Sequence, residues 1–239
     1  MFNKIEKYPT CRRHLLKMTG IAGVIVGILP TSQVGLAIET HEHVVRAATE
    51  LRPRGAVTLQ TAAVLRDLWV SHIFWVRSVS LAVIENNDAA METAQQQEAV
   101  NAQAIAAFIE PFYGSTVKET FHKLLTDHYR SVKTYLAGTM SSSMSIQTAA
   151  TQSIISNAGE IVALLVEVNP YLPTDELHSL LLAHGGHHLQ QIQELMARNY
   201  MAEAETWENM KAHVYQVADM TADALAKQFP KQFLAGHSG

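Results

Sequence analysis

Apolar residues recur at steps of three and four along almost the whole chain, and no segment alternates as a half-buried strand does. This pattern predicts an all-α protein. Short stretches rich in glycine, proline, asparagine and serine interrupt the apolar stripes and mark turns. They predict six helices, near residues 57–85, 89–110, 115–137, 145–168, 174–197 and 202–228.

Polar residues on these stripes recur at a spacing of 56 residues, which indicates an internal repeat. Each copy would be one αα-hairpin. The expected architecture is therefore an up-and-down helical bundle of three αα-hairpins. The residues related by this offset are His72, His128 and His184, then Leu68, Leu124 and Leu180, then Asn101, Asn157 and His213.

Two polar residues of each expected hairpin lie equally far from its tip. In an antiparallel helix pair that rises about 1.5 Å per residue, two such residues face each other at one height. The hairpins would then bring their polar residues into a single layer. We expect contacts between His72 and Asn101, between His128 and Asn157, and between His184 and His213.

The first 37 residues resemble an export signal rather than part of the fold. Arg12-Arg13 resembles a twin-arginine motif, a short apolar stretch follows, and Ala37 ends a cleavage site of small residues. The expected location is periplasmic or otherwise extracytoplasmic, with membrane contact only through the signal if it is uncleaved. The expected organisation is an export signal over 1–37, a flexible segment over 38–56 and a helical-bundle domain over 57–233.

Charge and cysteine content exclude several kinds of function. The formal net charge is −4 and the charges are scattered, so the chain has no electrostatic footprint for nucleic acid. Cys11, the single cysteine, lies within the expected export signal. The predicted domain therefore has no disulfide, no thiolate metal site and no cysteine nucleophile. The sequence identifies no particular partner.

Histidines are the main candidates for chemistry, since the chain has 12 of them and five fall on predicted interior stripes. A buried imidazole without a hydrogen bond costs on the order of 1–3 kcal/mol, so a layer of them needs a network or a ligand. Imidazole is the commonest protein ligand for transition metals. The predicted metal ligands are His72, His128, His184, His188 and His213, with Asn101 and Asn157 orienting the rings.

This donor set favours copper, zinc or nickel, because it has little carboxylate and no Glu-x-x-His pair of the di-iron type on its stripes. Haem with two axial histidines is a further cofactor that the pattern allows. Metal storage, buffering or delivery is the favoured function. The alternatives are a structural or partner-binding bundle with a hydrogen-bonded His/Asn core, and a haem or metal enzyme; a non-enzymatic role is favoured.

Gly185 and Gly186 lie inside the fifth predicted helix, between His184 and His188. Two glycines in a helix interior cost about 2 kcal/mol relative to alanine. Their presence indicates that another helix or a ligand approaches closely at this point.

Five stretches of the chain carry a resemblance to known sequences: 68–77, Asn169-Pro170, 180–184, 218–220 and 228–233. Through them, over about residues 58–233, the chain resembles a family of bacterial helical proteins of unknown function. The resemblance implies a helical bundle with interior histidines and implies no settled activity. Such sequences are sometimes labelled glycosyltransferases, but this chain has no α/β nucleotide-binding pattern and no Asp-x-Asp motif. It departs from the family at Gly185-Gly186.

Overall fold

The computed structural model describes residues 55–234, and this part of the chain is helical with no strand, so the all-α prediction is confirmed. The predicted export signal over 1–37, and all but the last two residues of the predicted flexible segment, lie outside the described residues. The helices are α1 Ala56–Ile84, α2 Asp88–Met140, α3 Met144–Val168, α4 Thr174–Met196, α5 Tyr200–Gln228 and the short α6 Pro230–Leu234.

Helix α2 takes the place of two predicted helices and is broken at Gly114. The backbone there has φ 81° and ψ 174°, a conformation that residues with a Cβ atom rarely adopt. The two parts of α2 lie side by side, as shown by the hydrogen bond of 3.1 Å that Lys133 Nζ donates to Gln95 Oε1. The predicted break is therefore present, and it is confined to Gly114. Residues 111–113, which lie between the two predicted helices, are helical.

Three turns of the bundle share one backbone geometry. Asn86, Ser142 and Arg198 have φ values of 54°, 54° and 55°, in the left-handed region. In each turn the next residue donates its N–H to a carbonyl five positions earlier, over 2.8 to 2.9 Å. Such bonds close the carbonyl end of the preceding helix. The three left-handed residues lie 56 positions apart in the sequence.

Helix packing encloses a layer of polar side chains between two apolar clusters. Helix α1 packs along α2 and α5, α2 along α3, and α4 along α5. Trp69 and Leu181 belong to one apolar cluster, whereas Val76 and Ile192 belong to the other. On both α1 and α4, the predicted histidines lie between these apolar positions.

Helices α1 and α3 are long and apolar enough to cross a membrane by length and composition. In each, 39% of the most apolar window is buried inside the bundle, and core helices meet the same criterion. Both helices supply core residues, including Ile73 and Ile161.

Candidate metal centre

Four histidines from three helices meet in the interior of the bundle. His72 comes from α1, His128 from the second part of α2, and His184 and His188 from α4. Their exposed fractions are 2%, 5%, 3% and 1%. One ring nitrogen from each lies within 4.8 Å of those of the other three. We call these four residues the histidine cluster.

The spacing of the four rings is close to that around a single ion. Their centroids are 4.5 to 6.1 Å apart over all six pairs. A tetrahedral ion with metal–nitrogen bonds of about 2.0–2.1 Å holds ligand nitrogens about 3.4 Å apart and imidazole centroids about 5 Å apart. The Nε2 atoms of His184 and His188 already lie 3.2 Å apart. Small side-chain movements would bring the other nitrogens to this distance.

Most ring nitrogens of the cluster have no hydrogen-bond partner among residues 55–234. These buried atoms are Nε2 of His72, both nitrogens of His128, and Nδ1 of His184 and of His188. A neutral imidazole carries one N–H donor and one acceptor nitrogen. Leaving buried polar atoms unpaired is costly, and a metal ion held by the four rings is one way to offset that cost.

Burial keeps the cluster in the form that binds metals. It lowers the pKa of His128 to about 3, with the charge of His72 adding to the effect. Burial also lowers the pKa of His184 and His188 well below the usual histidine value, and the neighbouring histidines add to both shifts. These three rings are therefore neutral at physiological pH, and neutral imidazole is the metal-binding form.

Glu98 is a buried carboxylate beside the cluster that the sequence analysis missed. It is 2% exposed, and its Oε1 lies 3.7 Å from Nδ1 of His72. Burial raises the pKa of Tyr129, and the charge of Glu98 raises it further. Glu98 therefore places a carboxyl group next to His72. It precedes Asn101 by three residues on one face of α2, which was the available signal, but it follows three glutamines and resembled a solvated position.

Both predicted asparagines are buried, and each holds a helix backbone near its histidine. Asn101 Nδ2 donates to the carbonyl of Leu68, and Asn157 Nδ2 donates to that of Leu124, each at 3.0 Å. Asn157 also opposes the lowering of the His128 pKa, although its Oδ1 does not meet hydrogen-bond geometry with the ring. The asparagines therefore act on the helices that carry His72 and His128 more than on the rings.

His213, the fifth predicted ligand, is not part of the histidine cluster. Its Nδ1 lies 3.3 Å from Nδ1 of His187, and both residues are half-buried. The expected contact of His213 with His184 is thus replaced by a contact with His187. The two asparagines are buried, whereas His213 is half-buried and contacts α4 through His187.

The two glycines of α4 have different surroundings. A Cβ atom on Gly185 would lie 2.6 Å from Cγ2 of Ile154, whereas one on Gly186 would meet nothing within 4 Å. Gly185 therefore allows α4 to approach α3 closely, one turn from the His128 side of the cluster. This is the close helix packing that the sequence indicated.

A second polar group joins α1, α4 and α5, with Glu203 and Gln191 buried and Arg77 half-buried. Arg77 donates from Nε and Nη2 to the two carboxylate oxygens of Glu203, at 2.6 and 2.9 Å. Gln191 donates to Glu203 Oε1 at 2.9 Å. The hydrogen bond from Arg77 lowers the pKa of Glu203 and raises that of Arg77. We call these three residues the arginine network.

No protein-family model matches this chain, and no curated protein or solved structure matches it. The chemistry of the histidine cluster is therefore argued from its own geometry.

Proposed function

We propose that this protein binds one transition-metal ion through His72, His128, His184 and His188. The observation that carries the proposal is the meeting of four buried histidines, each with one ring nitrogen within 4.8 Å of those of the other three, in a cluster where five ring nitrogens have no partner among the described residues. Four neutral imidazoles suit copper, zinc or nickel better than magnesium or calcium. The carboxylate of Glu98 would offset part of the ion's charge in this apolar interior.

Storage, buffering or delivery is the role that a site of this kind supports best. Four protein ligands complete a tetrahedral coordination shell, whereas catalytic ions keep a position open for water or substrate. The cavity that adjoins His72, His128 and His184 has a volume of about 10 Å³ and mostly apolar walls. A cavity of that volume has room for about one atom or ion, and it is far smaller than a macrocycle such as haem requires.

A purely structural His/Asn core is the second candidate function, favoured by the amide bonds of Asn101 and Asn157. In such a core the imidazoles themselves would be hydrogen-bonded. Within the described residues, the hydrogen-bond contact inside the cluster joins His184 to His188, and five ring nitrogens lack partners. An ion would take one nitrogen from each ring, so metal binding accounts for the convergence of the four rings and for part of these unpaired atoms, whereas the structural role accounts for neither.

We also propose that three αα-hairpins, related by the 56-residue offset, build this site. The three left-handed turns at Asn86, Ser142 and Arg198 support the repeat. So do the matching amide bonds of Asn101 to Leu68 and of Asn157 to Leu124. Each copy then contributes one histidine at the same position, and His188 adds a fourth.

Export by the twin-arginine route fits this proposal, because that route carries folded proteins, which often acquire a cofactor or metal in the cytoplasm before crossing. The motif Arg12-Arg13 supports it, and changing both residues to lysine should leave the protein in the cytoplasm. Fractionation of cells that express the two forms measures this directly.

Metal titration of the full-length protein tests the proposed function. Co²⁺ serves as a probe because its visible spectrum reports tetrahedral coordination, and competition with Zn²⁺ gives the affinity. We expect one tight equivalent, with four nitrogen neighbours at about 2.0–2.1 Å in X-ray absorption. A variant with His41, His43 and His237 changed to alanine controls for loose binding by histidines outside the described residues. If that variant binds no tight equivalent, the metal-site proposal fails.

A further inference from the structure

A second pair of histidines lies at the surface next to the histidine cluster. His187 on α4 and His213 on α5 point their Nδ1 atoms at each other over 3.3 Å, with ring centroids 4.8 Å apart. Both side chains are half-buried, in contrast to the four cluster residues. A separation of this size matches neighbouring ligand positions on one ion. We call His187 and His213 the outer pair.

The outer pair is connected to the histidine cluster through α4. His187 directly precedes His188 and follows His184 by three residues, so the three lie within one helical turn. Electrostatic interaction with His187 reaches both His184 and His188. An ion at the outer pair would therefore lie beside two of the four buried ligands.

A carboxylate favours cations at the outer pair. Glu194 acts on His187 with the attraction of its negative charge. Its Oε1 accepts hydrogen bonds from Gln190 and Thr206, while the buried Oε2 has no partner within residues 55–234. A carboxylate oxygen without a hydrogen-bond donor, close enough to act on His187, raises the local affinity for a positive ion.

The histidine cluster itself offers poor access to a hydrated ion. All four rings are at most 5% exposed, and the adjoining cavity measures about 10 Å³. An ion that entered directly would lose its water before it met any ligand, which is expensive in an apolar interior. An ion that first binds a surface ligand pair exchanges its water molecules for imidazoles in steps. It is then never without ligands on its way inward.

We propose that His187 and His213 form an outer capture site, which binds a divalent transition-metal ion together with water and transfers it to His184 and His188. This inference rests on the proposed function of the cluster and adds the route by which it is filled. Two protein ligands bind more weakly than four, so the ion moves inward. The outer pair therefore controls the rate of loading and leaves the final affinity to the cluster.

Loading kinetics separate this role from an ordinary hydrogen bond between two rings. Full-length metal-free protein is mixed with Co²⁺ in a stopped-flow instrument, and the tetrahedral cobalt spectrum is followed with time. The variants are His187→Ala with His213→Ala, and each single change. His178→Ala is the matched control, because His178 is a half-buried histidine on α4 outside both groups.

We expect the double variant to load its tight site at least tenfold more slowly, and to reach the same single tight equivalent with the same tetrahedral spectrum as the wild type. His178→Ala should load at the wild-type rate. The wild type should also bind a second, weak equivalent of Co²⁺ that the double variant lacks. An unchanged loading rate in the folded double variant, verified by circular dichroism, overturns the capture site alone. Failure of the wild type to take up any tight equivalent overturns the cluster proposal as well.

Discussion

Two groups of polar side chains that share α1 and α4 differ in how fully they are hydrogen-bonded. The arginine network and the histidine cluster both draw residues from α1 and α4, with Arg77 following His72 and Gln191 following His188. In the network, both carboxylate oxygens of Glu203 accept hydrogen bonds from Arg77. In the cluster, five ring nitrogens have no partner among the described residues.

The difference shows that a fully compensated polar group and an uncompensated one occur side by side in this bundle. The arginine network is an ordinary compensated ion pair, in which each charge has a counter-charge and directed hydrogen bonds. The histidine cluster lies one to two helical turns away and lacks such compensation. This contrast supports the proposal that the cluster holds a ligand.

The largest expected effect comes from removing one cluster histidine that has no partner at either nitrogen. His128→Leu should abolish tight metal binding, by about a thousandfold or more, since even groups that only orient a ligand contribute 10–100-fold. The metal-free variant should be as stable as the wild type or more so, because an unpaired polar group is replaced by an apolar one. Isothermal titration and urea unfolding measure the two effects. Equal metal affinity in wild type and variant would contradict the site.

Breaking the arginine network should have the opposite pattern. Arg77→Met leaves Glu203 buried without its counter-charge and should lower the free energy of unfolding by about 2–3 kcal/mol, with one metal ion still bound. Arg66→Met is the control, since the Arg66–Asp219 pair is more exposed and should lose less than about 1 kcal/mol. Urea unfolding with metal analysis checks both. Loss of metal in Arg77→Met would show that the two groups are coupled.

Acidification should destabilise the metal-free protein through the cluster. The pKa of His128 is about 3 in the folded state and about 6.5 when unfolded. Between these values the unfolded chain binds a proton that the folded chain does not, so stability is lost as pH falls from 6.5 towards 3. His128 alone should contribute a loss of about 2 kcal/mol at pH 5. Denaturant unfolding of wild type and His128→Leu at pH 7 and 5 measures the difference, and parallel pH profiles would contradict the prediction.

Glu98 tests whether a neighbouring charge supports the cluster. Glu98→Gln keeps the side-chain shape and removes the charge near His72, so metal affinity should fall by about tenfold. Glu110→Gln is the matched control on the same helix, because Glu110 pairs with Lys118 and lies outside the cluster. Competition titration with Zn²⁺ compares the three proteins. An unchanged affinity in Glu98→Gln would mean that its charge has no role in binding.

The smallest effect concerns the helix that carries parts of both groups. Gly185→Ala brings a Cβ atom against Ile154, so its overpacking should exceed the gain in helix propensity and cost about 1 kcal/mol. Gly186→Ala meets open space and should stabilise the protein by up to about 1 kcal/mol. Thermal or urea unfolding measures the two signs. A stabilising Gly185→Ala would show that Ile154 moves aside without cost.

The helical fold could be predicted because the apolar period of three and four is visible along the chain. The turns at Asn86-Asn87 and Arg198-Asn199 contain residue types that are common at helix ends. Asn87 and Asn199 act as the N-caps of the helices that follow them. The break near residue 114 was predicted as a loop between helices. Its reduction to one residue follows from the φ of Gly114, which a sequence pattern does not specify.

The histidine cluster could be predicted because His72, His128, His184 and His188 occupy apolar stripes. Glu98 was missed, since one carboxylate after a run of glutamines resembles a solvated face. His213 was placed on the wrong neighbour, because symmetry about the turn fixes the height of a residue and leaves its direction around the helix undetermined. Rotation of a helix depends on packing, as Gly185 against Ile154 illustrates.

The unpartnered nitrogens also have a consequence for the lifetime of the protein. A ligand that binds only the folded state stabilises it by mass action, by about 4 kcal/mol when present at a thousand times its dissociation constant. Without a bound ion, a chain that keeps unpaired polar atoms in its interior unfolds more often and is degraded sooner. The five unpaired atoms would then make turnover by proteases depend on metal supply, so that the protein accumulates where its ion is plentiful.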